Sequence, residues 1–158
     1  MPPHPPKIST GLLMFRRRRA MIEVFLAHPG GPFFQAKDEG VWGIPKGLVE
    51  TGEEYLDSAR REFQEETGIT PQGPYIDLGQ VQQNSGKIVY AWGFEGDCDS
   101  SRPIVCNHFQ LEWPPKSGKM QSFPEIDRAQ FFTPDAAAAK MMEAQKVFLD
   151  RLLKHLQT

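Results

Sequence analysis

The chain has 158 residues, 39% apolar and 24% charged, which fits one domain around one core and excludes a disordered or fibrous chain. A formal net charge of −2 supplies no overall field to draw the protein to nucleic acid or anionic lipid. Such a protein, if it handles phosphates, must neutralise them locally with a metal ion or a small basic cluster. No apolar run of about 18 residues is present to span a membrane. Cys98 and Cys106 read as reduced thiols, without the second pair a zinc site needs, and the expected compartment is the cytoplasm.

Residues 1–7 begin Met1-Pro2-Pro3-His4-Pro5-Pro6, a proline-rich stretch expected to be a flexible, extended arm with no signal-peptide core. The domain is expected over residues 8–158. Ser9–Phe15 and Met21–His28 read as strands, with Arg16 to Arg19 between them. Four arginines there most simply cap a hairpin in solvent; an RNA- or phosphate-binding patch is the alternative. His28-Pro29-Gly30-Gly31-Pro32 is a turn cluster. From Thr51 to Thr67 the apolar period becomes helical, with Thr51 and Glu54 spaced as a capping box and Gly68 placed as a C-terminal glycine. Tyr75–Gln83 and Lys87–Phe94 read as a hairpin around Asn84-Ser85-Gly86. Phe109–Trp113 and Arg128–Phe132 are further strands, with a polar loop over Pro114–Pro124. Helices are expected over Pro134–Lys140 and Glu143–Leu156. The expected fold is α/β of the α+β kind, a mixed sheet flanked by helices.

The informative segment is Gly47 to Ile69. Placed on a helix at about 100° per residue, Leu56, Ala59 and Phe63 share one narrow arc, the core face. Glu62, Glu65 and Glu66 fall in the adjacent arc, with Ser58 one turn away. Three carboxylates so close repel one another, and they sit near the helix C-terminal end, where the helix dipole disfavours negative charge. A divalent cation such as Mg²⁺, which takes hard oxygen ligands, would offset that cost. Taken alone, the three glutamates also suit a solvated acidic face partnered by Arg60 and Arg61.

The wider segment matches the pattern G-x5-E-x7-R-E-U-x-E-E-x-G-U, with U bulky and apolar, at Gly47, Glu53, Arg61, Glu62, Phe63, Glu65, Glu66, Gly68 and Ile69. In this the chain resembles the Nudix hydrolase family, in particular its MutT-like members. Weaker similarity lies in Ser9–Phe15, in Trp42-Gly-Ile-Pro-Lys-Gly47 and in Phe123–Phe131. The resemblance implies that Glu62, Glu65 and Glu66, with the backbone carbonyl of Gly47, bind Mg²⁺ or Mn²⁺, and that Glu53 pairs with Arg61 to orient the helix. Lys46 is expected either to touch a phosphate or to be an ordinary loop lysine. A further carboxylate is expected from a loop near the last strand, with Glu125 favoured over Glu112. The general base is left open among Glu125 and the box glutamates Glu65 and Glu66.

The implied reaction is hydrolysis of a phosphoanhydride bond in a nucleoside-diphosphate-linked substrate. A nucleoside triphosphate or dinucleoside polyphosphate is favoured over a nucleotide sugar or ADP-ribose-type compound. A non-catalytic nucleotide-binding module is the alternative from another class. Phe33, Phe34, Trp42, Trp92 and Trp113 are candidate base-stacking rings or core residues, with Trp42 the one assigned to substrate. The expected partner is a nucleotide-like small molecule, with no membrane and no nucleic acid.

Overall fold

Strand β1, Ile8–Arg18, alternates between two buried faces. Leu12 and Met14 enter one apolar cluster, Leu13 and Phe15 the other. That alternation is the period of an extended strand, and it needs cover on both sides. A computed structural model describes residues 7–102 and 104–157, so the expected arm lies almost wholly outside the described residues. Among the described residues, no helix is long and apolar enough to cross a membrane.

β1 turns back into β2, Met21–Pro29, through Arg19 and Ala20, whose φ angles of 51° and 65° give the left-handed two-residue turn that suits a hairpin. β1 also pairs antiparallel with β3, Lys46–Leu48, and parallel with β5, Ile88–Glu95. With β4, Ile76–Gln82, and β8, Ile126–Phe132, these form a six-stranded mixed sheet in the order β4-β5-β1-β2-β8, with β3 attached to β1. Helix α1, Tyr55–Thr67, covers one face through Ala59 and Phe63, which meet Leu12, Met14, Phe25 and Phe94. Helices α2, Pro134–Lys140, and α3, Lys146–Leu156, cover the other, where Ala137, Phe148, Leu149 and Leu152 meet Leu13, Phe15, Val24 and Leu26. The mixed sheet between helices is thus the observed architecture.

Several local expectations change. Helix α1 starts at Tyr55, not after Thr51, and Glu54 caps it without a side-chain bond. Gly52, at φ 80°, turns the chain first. The reciprocal bonding forms one turn early: Glu50 N donates to Glu53 Oε1 at 3.1 Å and Glu53 N to Glu50 O at 3.0 Å. The polar stretch before Pro124 contains a strand, β7, Met120–Pro124, which pairs with β6, His108–Glu112. Three of the four arginines lie within β1 itself. Arg16 is not solvated: it bonds Glu23 at 2.8 Å and Asp97 at 2.9 Å and lies over the Phe131 ring. Cys98 and Cys106 are free thiols.

Candidate active site

The carboxylate-bearing helix is fixed to the sheet by a buried bond between side chains, Thr10 Oγ1 to Ser58 Oγ at 2.7 Å. Strand β3 then passes beside β1, pairing Thr10 with Gly47 and Gly11 with Lys46. The approach is close enough that a Cβ on Gly11 would lie 2.6 Å from the Pro45 carbonyl oxygen. Strand β3 also touches α1. A Cβ on Gly47 would lie 2.1 Å from the Glu62 carboxyl carbon, so only glycine lets that carboxyl group sit against the backbone there.

Glu66 reaches the same strand from the next turn, accepting from Lys46 N at 3.1 Å. Burial, together with the neighbouring Glu62 and Glu125 carboxylates, raises the Glu66 carboxyl to about 8. Burial also raises Glu62, opposed by the adjacent Arg61 guanidinium. Glu65 is more exposed and accepts from Arg61 Nη1 at 3.2 Å.

Arg61 organises this edge of the helix. Its Nε donates to Glu53 Oε2 at 2.8 Å and its Nη2 to Glu53 Oε1 at 3.0 Å, a two-point grip. Its Nη1 donates to Glu62 at 2.8 Å, and Nη2 also reaches the Leu48 carbonyl at 3.2 Å. Hydrogen bonding to Arg61 lowers the Glu53 carboxyl to about 2. One side chain thereby joins the turn before α1, strand β3 and two of the box glutamates.

Glu125 stands between β7 and β8, exposed, with its backbone pinned by Gly30 N donating to Glu125 O and Glu125 N donating to Asn107 O, each at 2.9 Å. A Cβ on Gly30 would fall 1.9 Å from the Pro124 carbonyl oxygen, so the glycine of the turn cluster makes that approach possible. Glu125, Glu66 and Lys46 line one cavity of about 330 Å³. Its apolar lining includes Phe34, Val41, Ile44, Ile126 and Met142. Burial lowers the Lys46 ammonium, opposed by Glu66.

Two expected site residues, Trp42 and Glu112, lie elsewhere. Trp42 is 1% exposed and belongs to the core over α2 and α3, with its Nε1 donating to Asp38 at 2.9 Å. It packs edge-on to Phe132 and His28, so no face is free to stack a base. Glu112 is an exposed residue of the β6–β7 pair and does not line the cavity. Of the candidate rings, Phe34 alone lines the cavity. Phe33 is exposed and meets Trp113 edge-on, and Trp92 packs beside Tyr90.

Gln145 also lines the cavity and was not singled out by the sequence. The signal is present in retrospect: it precedes Phe148, Leu149 and Leu152 at helical spacing, which places a polar amide on an apolar stripe.

The donor set suits a hard divalent cation. Glu62, Glu65, Glu66 and Gly47 supply oxygen, and two of the carboxyls are held in a site that penalises their charge. Among the described residues, no three ligating side chains already converge as a cage. Arg61 now bonds two of the carboxylates that would have to turn toward such a cation.

The NUDIX domain model matches residues 5–152, and the chain therefore belongs to the NUDIX family. Solved structures with the same fold include an Ap4A hydrolase binary complex from C. elegans, at 20% identity and TM-score 0.66, covering 94% of this chain and 98% of that one. The NUDIX domain of Shewanella oneidensis NrtR, complexed with ADP ribose, is similar at 13% identity and TM-score 0.65, covering 97% and 90%. A MutT protein from Methanosarcina mazei Go1 is similar at 21% identity and TM-score 0.59, covering 98% and 97%.

Proposed function

We propose that the protein is a Mg²⁺-dependent hydrolase of a nucleoside triphosphate or dinucleoside polyphosphate. One observation carries the reading: Glu66, Glu125 and Lys46 line the same cavity as Phe34, Val41, Ile44 and Met142. A phosphate chain with a nucleoside attached has those same two characters, charged and apolar.

In this reading Glu62, Glu65 and Glu66, with the Gly47 carbonyl, would hold Mg²⁺, and Mn²⁺ suits the same oxygens. The bound cation supplies charge neutralisation along the phosphates and a lower pKa for an attacking water. The chain's own groups do the rest. Glu66 or Glu125 accepts the proton of that water, both being carboxylates on the cavity wall. Lys46 faces the phosphates. Glu53 holds Arg61, and Arg61 holds the edge of the helix from which the ligand carboxylates would turn toward the cation. The leaving group departs as a phosphate or phosphorylated fragment, and the cytoplasm is the expected place of action.

The test is product analysis by mass after incubation with nucleoside triphosphates, dinucleoside polyphosphates, ADP-ribose and nucleotide sugars, with Mg²⁺ or Mn²⁺. Wild type is compared with Glu66→Gln. Metal-dependent turnover of the first two classes, lost in the variant, is the expected result. Turnover confined to ADP-ribose or a nucleotide sugar replaces the substrate class. Tight nucleotide binding without turnover makes the protein a binding module instead.

A further inference from the structure

Strand β2 sends alternate residues to opposite sides. Ala27 and Pro29 line the cavity, while His28 between them is fully buried against the Trp42 ring. Both nitrogens of its ring are engaged. The Lys37 carbonyl can only accept, so His28 Nε2 donates to it, at 2.7 Å. Nδ1 lies 2.8 Å from Asp127 Oδ1. One imidazole thus joins the loop over residues 30–41 to the start of β8.

Each partner belongs to a segment that frames the cavity. Lys37 N donates to Phe34 O at 2.9 Å, so the carbonyl held by His28 closes the same turn as the cavity residue Phe34. Asp127 is the extra residue of a β-bulge: His28 pairs with Arg128 and Pro29 with Ile126, leaving Asp127 unmatched. The bulge decides which way the chain before it faces. Ile126 and Ala129 are three apart and would face opposite sides of a regular strand. Yet Ala129 pairs with Ala27 and Ile126 with Pro29, both residues of the cavity lining. Asp127 absorbs the odd residue, so Ile126, and Glu125 before it, reach the cavity. The loop has a separate hold at Asp38, which accepts from Trp42 Nε1 at 2.9 Å and from Lys140. Loss of His28 therefore loosens the cavity walls without releasing the loop from the body.

We propose that His28 is a positioning residue that holds the Asp127 bulge and the Lys37 turn together, and so fixes Glu125 and Phe34 relative to one another. Its effect on turnover rests on the hydrolase reading above; its effect on the two segments does not. A histidine that only filled the core would act through its shape. This one acts through two bonds, one to each wall, and the two can be removed one at a time.

The experiment compares wild type with His28→Leu, His28→Gln and His28→Asn. Leu removes both bonds. Gln places an amide donor where Nε2 stands and keeps the Lys37 bond alone. Asn places one where Nδ1 stands and keeps the Asp127 bond alone. The first measurement is amide hydrogen exchange of the metal-free protein. Gly30 N donates to Glu125 O, and Glu125 N to Asn107 O, so both amides report on the junction. In His28→Leu they should exchange at least about tenfold faster, while the amides of α1 keep their wild-type rates. If His28→Leu does not fold, the same amides are read in His28→Gln. The second measurement is steady-state kinetics with Mg²⁺. His28→Asn should raise KM about tenfold with kcat within about twofold, because the Phe34 turn is freed. His28→Gln should lower kcat about tenfold with KM within about twofold, because Glu125 is freed.

Unchanged exchange at Gly30 and Glu125 in a folded variant overturns the proposal. Equal kinetic losses in all three variants, tracking their melting temperatures, overturn it too, since core filling alone gives that pattern. These outcomes separate from those of the hydrolase reading. Faster exchange at the two amides, with no turnover by wild type, keeps the clamp and removes the hydrolase. Turnover that none of the three substitutions alters keeps the hydrolase and removes the clamp.

Discussion

The Glu62 carboxyl group occupies the space where a side chain on Gly47 would begin: a Cβ there would lie 2.1 Å from its carbon. The Gly47 backbone is held in the sheet, so the Glu62 carboxyl is the part that must move. Gly47 is in β3, paired with Thr10, and Glu62 is tied to Arg61. Gly47→Ala should therefore push the carboxylate out of position while leaving both cores intact. The expected loss is about 100-fold in kcat/KM with Mg²⁺, from displacement of roughly 1 Å. Steady-state kinetics beside a thermal melt checks it. An alanine variant of full activity would mean that Glu62 does not act from this place.

Arg61 and Glu53 form the two-point grip that fixes the edge of α1. Arg61→Lys keeps the charge but loses the fork, so activity should fall about 10- to 100-fold. Glu53→Gln alone should do the same. Because both act through one contact, the double variant should be little worse than either single one. Multiplying losses in the double-mutant cycle would show that the two side chains work separately.

Glu66 predicts a pH dependence of the metal-free protein. Its carboxyl is raised from an ordinary 4.5 to about 8, so the folded state keeps a proton that the unfolded chain has already lost in that window. The unfolded state binds fewer protons, and stability therefore falls as pH rises from about 4.5 to 8. The slope is at most about 1.4 kcal/mol per pH unit. Melting in a chelator across this range should show the decline. Glu66→Gln should flatten it, and added Mg²⁺ should stabilise the wild type more at the alkaline end. A flat wild-type profile would contradict the burial of a charged Glu66.

Trp42 separates a core residue from a substrate contact. Trp42→Phe removes the Nε1 bond to Asp38 and part of a fully buried ring. Stability should fall by about 1–3 kcal/mol, read from denaturant unfolding, with KM changed less than about twofold. A tenfold rise in KM without loss of stability would return this side chain to the substrate site.

Legibility followed the range of the interactions. Helix α1 and its core stripe of Leu56, Ala59 and Phe63 rest on a local period, so the sequence alone placed them. Its start did not come out correctly. Thr51 and Glu54 have capping-box spacing, but Gly52 turns the chain and Glu53 makes the reciprocal bond. Strand β3 was hidden because three residues carry too little alternation to read, and β7 because it follows an exposed, polar run and has no buried residue to mark a core face. Trp42 looked available because aromatic rings serve cores and ligands alike, and only its neighbours decide between the two. The partner of Gln145 lies on a distant segment, which no local pattern reports.

That distance has a bearing on synthesis. The glutamate-bearing helix, its glycine and its arginine grip all lie between residues 47 and 67, and can assemble on β1 once β5 has joined the sheet. Gln145, which lines the same cavity as Glu66, is made much later, because it meets Ile44 across 101 residues. On the ribosome, a growing chain can thus possess its glutamate-bearing helix well before the cavity beside that helix receives its last lining residue.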